Sequence, residues 1–572
     1  MTTEPTESTK HKPPSMARTF GVVAVLTVVS KFIGMFRDIV VAAAYGTSVV
    51  ADAFQYASMF TGNVLVLFGG LGGPFHSSTV AVVTPQKDDR QSGGLVVQIM
   101  LLTVAALSVV TLLFYVFATP LSGLIGHFYN PDVPALGHTP AAQAAMTAMN
   151  DLLLPEKKSL FEHQFHDQLL WMLPLIVIAG IVGVSYGILN VYNKIFWPSL
   201  SPAIASIAII IFVKMADPSK FLIYGIPLAV GTLAGAIGQM LAQFPDMLKL
   251  PLHWRLPLRP EPGLRDYGGM LWPAFISTSV GTLTVYVDMF FTLSTHTQGA
   301  WVAVVMSNRI VQLPLGILLT AMLVPILPRF TEQVTANKPE ELKFEMRRAL
   351  NFLWFISLPI AGIFFILPRP IVAVLFQRGN FDNQSVDLVT LAFVFLVPSI
   401  VLYVGRDLVT RVFYAHKDSS TPYKIAIIAI FVKAFLDWML LRPEFMNGSV
   451  AAISLATTIM TVFNFSLLTW ALKRKIGNLG MTKMLKPFFV MVIGSAICAM
   501  LTYGLYGSLE PFARGAHYMV HGIDLARLTF LGLSSLLGIA VYVGICLLFR
   551  LEEPVMFARR VPGLRNYVAA LE

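Results

Sequence analysis

Three basic side chains sit where a membrane-buried chain would least tolerate them: Lys31, Arg37 and Arg309 each interrupt an apolar run. A charge at bilayer depth costs about 2.5–3.5 kcal/mol on insertion scales, so each needs a reason to be kept. Lys31, Gly34 and Asp38 are spaced i, i+3, i+7 and share one helix face, with Arg37 about 100° round from Asp38. Gly34 offers a bend that can turn Arg37 inward. Arg309 and Gln312 are i, i+3 neighbours just ahead of Pro314, which removes the bond to the Ile310 carbonyl and kinks the segment. Cations drawn from both halves of a chain make a wall for an anion, and in a membrane the natural anion is a phosphorylated head group. The competing reading is structural: an internal Lys31–Asp38 pair, an Arg37 that snorkels to the interface, and an Asp288–Arg309 pair.

Other polar residues break the apolar pattern. Asp52 and Gln55 open the second run, and Gly69-Gly70-Leu71-Gly72-Gly73-Pro74 then interrupts it. No stiff helix survives that stretch, and unwound backbone at membrane depth needs protein or a water-filled cavity beside it. The functional reading is a gate or hinge; the plain one is close packing through small residues. Asp288, then Lys433 and Asp437 at i, i+4, place charge in the second half, with Thr457 and Thr458 further on. Arg406, Asp407 and Arg411 read as snorkelling residues near a helix end. Glu162, His163, His166 and Asp167 are close enough to suggest a metal, but a single short cluster reads better as a solvated, partly helical loop.

The elements that must position these residues follow from composition. Of 572 residues, 56% are hydrophobic and only 13% charged; a soluble domain carries about 25% charged residues. Two cysteines exclude a disulfide scaffold, and the net charge of +10 fits lysines and arginines lining a membrane surface better than nucleic acid. The composition predicts an all-α polytopic membrane protein. Apolar runs of sufficient length number about fourteen, near 17–43, 50–83, 93–126, 168–192, 196–214, 220–247, 265–294, 299–328, 349–376, 386–415, 422–442, 449–472, 484–508 and 524–550. With both termini on the cytoplasmic side, Lys and Arg divide 26 to 8 in favour of that side. The expected organisation is a disordered tail over 1–16, a lobe of six helices over 17–247 with an extracytoplasmic loop at about 127–167, a basic linker over 248–264, a second six-helix lobe over 265–472, two further helices over 473–550 and a cytoplasmic tail over 551–572. No phosphate-binding glycine loop of the G-x-x-x-x-G-K-[ST] type occurs, so any pumping draws on a gradient.

The two halves echo one another. Tyr192-Asn193-Lys194 precedes Pro198, and Tyr414-Ala415-His416-Lys417 precedes Pro422; Gly46 with Ala51-Asp52 in the first half is answered by Gly299-Ala300 in the second. Repeats of this kind place a transporter's substrate site at their interface.

Ser30-Lys31-Phe32-Ile33-Gly34-Met35-Phe36-Arg37-Asp38, then Gly46 and Ala51-Asp52-Ala53-Phe54, resembles the first-span signature of the MurJ (MviN) lipid II flippases, in the multidrug/oligosaccharidyl-lipid/polysaccharide exporter (MOP) superfamily. Ser307-Asn308-Arg309 through Leu313-Pro314-Leu315-Gly316, Leu375-Phe376-Gln377-Arg378-Gly379-Asn380-Phe381, and Phe413-Tyr414-Ala415 with Thr421-Pro422 resemble its later motifs in collinear order. The resemblance implies a MATE-like fold of two pseudo-symmetric six-helix lobes plus two C-terminal helices around a cationic cavity. It implies a bacterial plasma-membrane carrier, not an enzyme, that moves undecaprenyl-diphosphate-linked peptidoglycan precursor between leaflets by alternating access, acting as a monomer beside cell-wall synthesis proteins. Carried over by position, Lys31, Arg37 and Arg309 would hold the diphosphate, with Lys31 standing where arginine is usual. Asp38, Asp52 and Gln312 would orient those cations, and Gly69, Gly70, Gly72, Gly73 and Pro74 would form the gate. Some members bind sodium; Asp288, Asp437 and Thr457 are the counterparts of that site, with Lys433 in a neutral ligand's place, where its tethered ammonium could replace the ion outright; Na+ or H+ is the coupling ion the resemblance allows, and no other cofactor is implied. Val66 and Leu67 replace two arginines common in the family. The alternatives are an exporter of another polyprenyl-diphosphate oligosaccharide, a cation-coupled MATE-like exporter, and a glycosyltransferase, which would need Asp132, Asp151 or Glu162 as an outer-loop carboxylate.

Overall fold

The computed structural model describes residues 16–64, 69–70, 73–86, 92–129, 140–216, 225–257, 259–261, 263–295, 297–319, 324–516, 519–520 and 523–560. The fold is helical throughout, apart from a two-residue antiparallel bridge between Met519–Val520 and Ile523–Asp524. Backbone groups in hydrocarbon must be satisfied within their own segment, which is why apolar runs of this length become helices.

Among the described residues, eight helices are long and apolar enough to cross a membrane, or ten if each of two pairs bent by 44° counts as one span. The expected fourteen is therefore not reached on length and apolarity alone. The shortfall lies in the helices that carry the polar residues. Met16–Tyr45 contains Lys31, Arg37 and Asp38, Ala300–Leu318 contains Ser307-Asn308-Arg309 and Gln312, and Ser420–Leu440 contains Lys424, Lys433 and Asp437. The second expected span is broken into Val49–Phe60 and Pro74–Val83. Gly69 and Gly70 lie in a bend between them, Gly73 caps the second piece and Pro74 takes its first position; Gly72 lies outside the described residues. Proline there sacrifices only an N–H that the helix leaves unpaired anyway.

The segment expected as a solvated loop at 127–167 is different. Pro140–Met172 is one helix, and Phe161, Phe165, Leu169 and Met172 are wholly buried along it. From Glu156 the chain continues, through a turn, to Val191 as one apolar stretch. The buried residues recur at i, i+4, i+8 and i+11, while Glu162, His163, His166 and Asp167 occupy the other faces and lower the mean hydropathy, which hid the stripe. His163 and His166 both approach Asp167, at 3.4 and 3.3 Å, and no group of three metal-capable side chains forms among the described residues.

The internal echo has a matching backbone. After Leu175–Val191, Asn193 adopts φ 58°, Lys194 N–H donates to Leu189 (2.8 Å) and Asn193 N–H to Asn190 (3.0 Å). After Ser399–Ala415, Lys417 adopts φ 56°, Asp418 N–H donates to Phe413 (3.0 Å) and Lys417 N–H to Tyr414 (2.9 Å). Both are the same left-handed cap with the 6→1 and 5→2 bonds. The second also holds an ion pair. Asp418 accepts from Thr421 N–H and hydroxyl and from the Lys475 ammonium, which together hold its carboxyl down to about 2, well below the usual carboxylate range. A carboxylate held low stabilises the fold above its ordinary pKa and loses that contribution as pH falls toward the lower value. Asp418→Asn is expected to cost about 1 kcal/mol at neutral pH. The gap between its melting midpoint in detergent and that of the wild type should narrow below about pH 4.

Candidate functional site

The Met16–Tyr45 and Ala300–Leu318 helices run antiparallel across the centre of the molecule, one from each half of the chain. Their contacts keep a constant register: Thr47, just past the first helix, meets Gly299, Asp38 meets Arg309, and Lys31 reaches Gly316. Arg37 donates through Nε (3.0 Å) and Nη2 (2.6 Å) to one oxygen of Asp38. Arg309 approaches the other oxygen at 3.7 Å. One carboxylate thus divides between two guanidiniums and leaves net positive charge. Lys31 stands two turns further along, its ammonium so close to Gly316 that a Cβ there would collide with it. The sequence placed Arg37 off the Lys31–Asp38 face; the chelate to its neighbour brings the guanidinium round instead. Lys31 reaches across to Gly316 rather than closing an internal pair with Asp38.

Arg309 is the accessible member. Of its side chain, 53% is exposed, against 22% for Arg37 and 18% for Asp38. Val305, Arg309, Gln312 and Gly316 form one stripe on their helix, with Gln312 exposed, while Ala303, Ile310 and Val311 are buried on the far side. Ser307 turns away from the stripe, donating to Ala303 and to Val389 of the Asn383–Leu396 helix. An exposed guanidinium fork can take two phosphate oxygens at once.

Asp52 does not join this group. Expected to orient the cations, it is instead 1% exposed and accepts from the backbone N–H of Gly299 (2.6 Å) and Val302 (3.2 Å) and from the Tyr129 hydroxyl (3.2 Å). It supplies, from the first half of the chain, the cap that the Ala300–Leu318 helix lacks, since the residue at that position is Gly299. A carboxylate at a helix N-terminus satisfies orphan donors and favours the dipole. Asp52→Ala would leave two buried N–H groups unpaired, at about 1–3 kcal/mol each. A clearly lower melting midpoint is expected, with a smaller drop for Asp52→Asn, whose amide oxygen still accepts.

Around this cap the two halves are latched. Asn380 N–H donates to Ala43 (2.8 Å) and its side-chain amide to Ala44 (2.6 Å), and the hydroxyls of Thr47 and Ser385 are 2.9 Å apart. Gly46, Gly299 and Gly379 all have positive φ, and each lets opposing backbone approach so closely that a Cβ would collide, with Asn380, Thr47 and Ala43 respectively. This latch escaped sequence reasoning. Its only trace was three glycines followed or preceded by polar residues at helix ends.

The sodium counterparts also come together, but around an ammonium. Lys433 and Asp437 are both wholly buried and 2.6 Å apart, and Lys433 also pairs with Asp288 and donates to the Ile453 carbonyl at 3.2 Å. Thr457 donates to the same carbonyl at 3.0 Å. Asp288 thus pairs with Lys433 and not with Arg309. Of the carboxylates a transferase would need, Glu162 packs against Gly126, while Asp132 and the side chain of Asp151 lie outside the described residues.

A family model described as "Lipid II flippase MurJ" matches residues 41–521. The chain is 28% identical over 548 residues to a probable lipid II flippase MurJ of Synechocystis sp., covering 93% of this chain and 95% of that protein. It is 25% identical over 539 residues to the probable lipid II flippase MurJ of Vibrio cholerae, covering 92% and 95%. In structure it is similar to a lipid II flippase MurJ solved in an inward closed conformation, with TM-score 0.69, 20% identity, and 92% and 98% of the two chains covered. It also resembles an inward-facing multidrug resistance MATE family transporter of the MOP superfamily, with TM-score 0.55, 14% identity, and 83% and 97% covered.

Proposed function

This chain belongs to the lipid II flippase MurJ family, and on that premise we propose that it carries a polyprenyl-diphosphate-linked peptidoglycan precursor across the bilayer, with Arg309 and Arg37 gripping the diphosphate. The observation that supports this reading is the half-exposed Arg309, which shares Asp38 with Arg37 from the other half of the chain. Asp38 holds both guanidiniums. An arriving diphosphate carries more charge than one carboxylate and competes for them; when the halves move apart at the latch, Arg37 and Arg309 separate and the grip loosens. Binding that differs between two states is what transport requires. No bond is made or broken in the cargo, so the chain acts as a carrier and not an enzyme.

The bias of lysine and arginine argues that the Asp52 latch faces the outer side of a bacterial plasma membrane and that both termini are cytoplasmic. One chain supplies both sides of the cationic site, which favours action as a monomer. The glycine break, whose described residues are Gly69, Gly70, Gly73 and Pro74, serves as hinge. The fourteen-span, two-lobe layout remains part of this proposal, and cell-wall synthesis enzymes that consume the cargo are the natural partners. The test is leaflet-resolved labelling of lipid II in cells with and without the protein: outer-leaflet lipid II should collapse on depletion. An unchanged distribution, or loss of a different polyprenyl-diphosphate lipid from the outer leaflet, would overturn the assignment.

A further inference from the structure

We infer that Lys433 is the resident cation of the buried acidic site in the C-terminal half, so that this chain neither binds nor needs sodium there. Three helices converge on the site: Leu264–Thr292 brings Asp288, Ser420–Leu440 brings Lys433 and Asp437, and Val450–Ile476 brings the Ile453 carbonyl and Thr457. Two carboxylates and a carbonyl are the oxygen chemistry a hard monovalent cation seeks. Each of these three groups is instead engaged by one ammonium. A lysine has three donors and no acceptor. Here those donors meet Asp288, Asp437 at 2.6 Å and the Ile453 carbonyl at 3.2 Å.

The ammonium is 0% exposed, so the pairing is not a surface accident. Removing one member of a buried pair leaves the others uncompensated, which makes the arrangement self-locking. A diffusible sodium ion would have to displace a cation that is covalently tethered and therefore always present at high local concentration. The residues do not fit a bound metal while Lys433 stands among them. Functionally, the ammonium joins the Leu264–Thr292 helix to the Ser420–Leu440 and Val450–Ile476 helices permanently, where a diffusible ion would make that junction depend on its concentration.

The inference is independent of the lipid reading, because its test reads stability and not transport. The purified full chain in detergent is melted in sodium chloride and in choline chloride at equal ionic strength. The wild type should melt at the same temperature in both; stabilisation by sodium would overturn the inference. Lys433→Asn removes the ammonium and frees the two carboxylates. It should melt below the wild type in choline and recover several degrees in sodium, as expected for a ligand that binds only the folded state. A variant equally unstable in both salts would show that the acidic pocket is no cation site, and would also overturn the inference. If Lys433→Asn does not accumulate folded, Lys433→Asn combined with Asp437→Asn, which leaves a single carboxylate, takes its place under the same two salts. The wild-type comparison decides the first half of the claim in either case.

Discussion

Replacing Arg309 by alanine is expected to abolish rescue of a cell depleted of its lipid II flippase while leaving the amount of protein in the membrane unchanged. Folding should survive because the side chain is half exposed and its one ion pair, to Asp38, is long at 3.7 Å. Asp38 keeps Arg37 as a partner at 2.6 Å, so no carboxylate is stranded. Transport should not survive. Charge-assisted hydrogen bonds contribute about 1.5–3 kcal/mol, which is roughly a 10- to 150-fold loss in binding for the guanidinium fork. Arg309→Lys keeps the charge but loses the planar fork, so it should fall between the wild type and alanine. Flipping of labelled lipid II in proteoliposomes gives the readout. Wild-type rates for Arg309→Ala would remove the basis for a diphosphate grip at this position.

Equally large, and reversible, is the effect expected from closing the latch permanently. Thr47 and Ser385 belong to opposite halves of the chain, and their hydroxyls are 2.9 Å apart. Cysteines at both positions bring their sulfurs within reach of a disulfide, whose Cβ atoms need to lie about 3.5–4.5 Å apart. The native cysteines, Cys498 and Cys546, are buried and far along the chain, so they compete little. Thr47→Cys with Ser385→Cys should stop flipping under oxidising conditions and restore it on reduction, with each single variant active in both. Undiminished flipping by the oxidised, cross-linked protein would mean that the halves need not separate here, and alternating access through this end would be wrong.

Much of the site was legible before any coordinates. Lys31, Arg37, Asp38, Arg309 and Gln312 stand out because charge inside an apolar run is expensive, and expense marks function. Helical periodicity put Arg309 and Gln312 on one stripe, where the fold keeps them. The Asp288, Asp437 and Thr457 set came as a group only from the family resemblance, not from spacing. Its content was harder to read, because a lysine at i, i+4 from an aspartate can point to solvent, to its neighbour, or across to a third helix. Asp52 illustrates the opposite case. Its residue type suggested service to the cations, but a carboxylate also caps helices, and only packing decides which donors it meets. The helix hidden at Pro140–Met172 was missed for a related reason: averaging over a window erases a buried stripe when the other faces are charged.

What the sequence determined alone was the solvent of each segment and the identity of the costly charges, since both follow from transfer free energies that depend on residue type and local spacing. The three-dimensional fold decided partners: that Asp38 is shared by two arginines, that Asp52 caps a helix more than two hundred residues away, and that Lys433 fills the acidic site. Those pairings depend on register between helices distant in the chain, and register is fixed by packing of whole faces, where close approach at glycines such as Gly46 and Gly379 matters as much as charge.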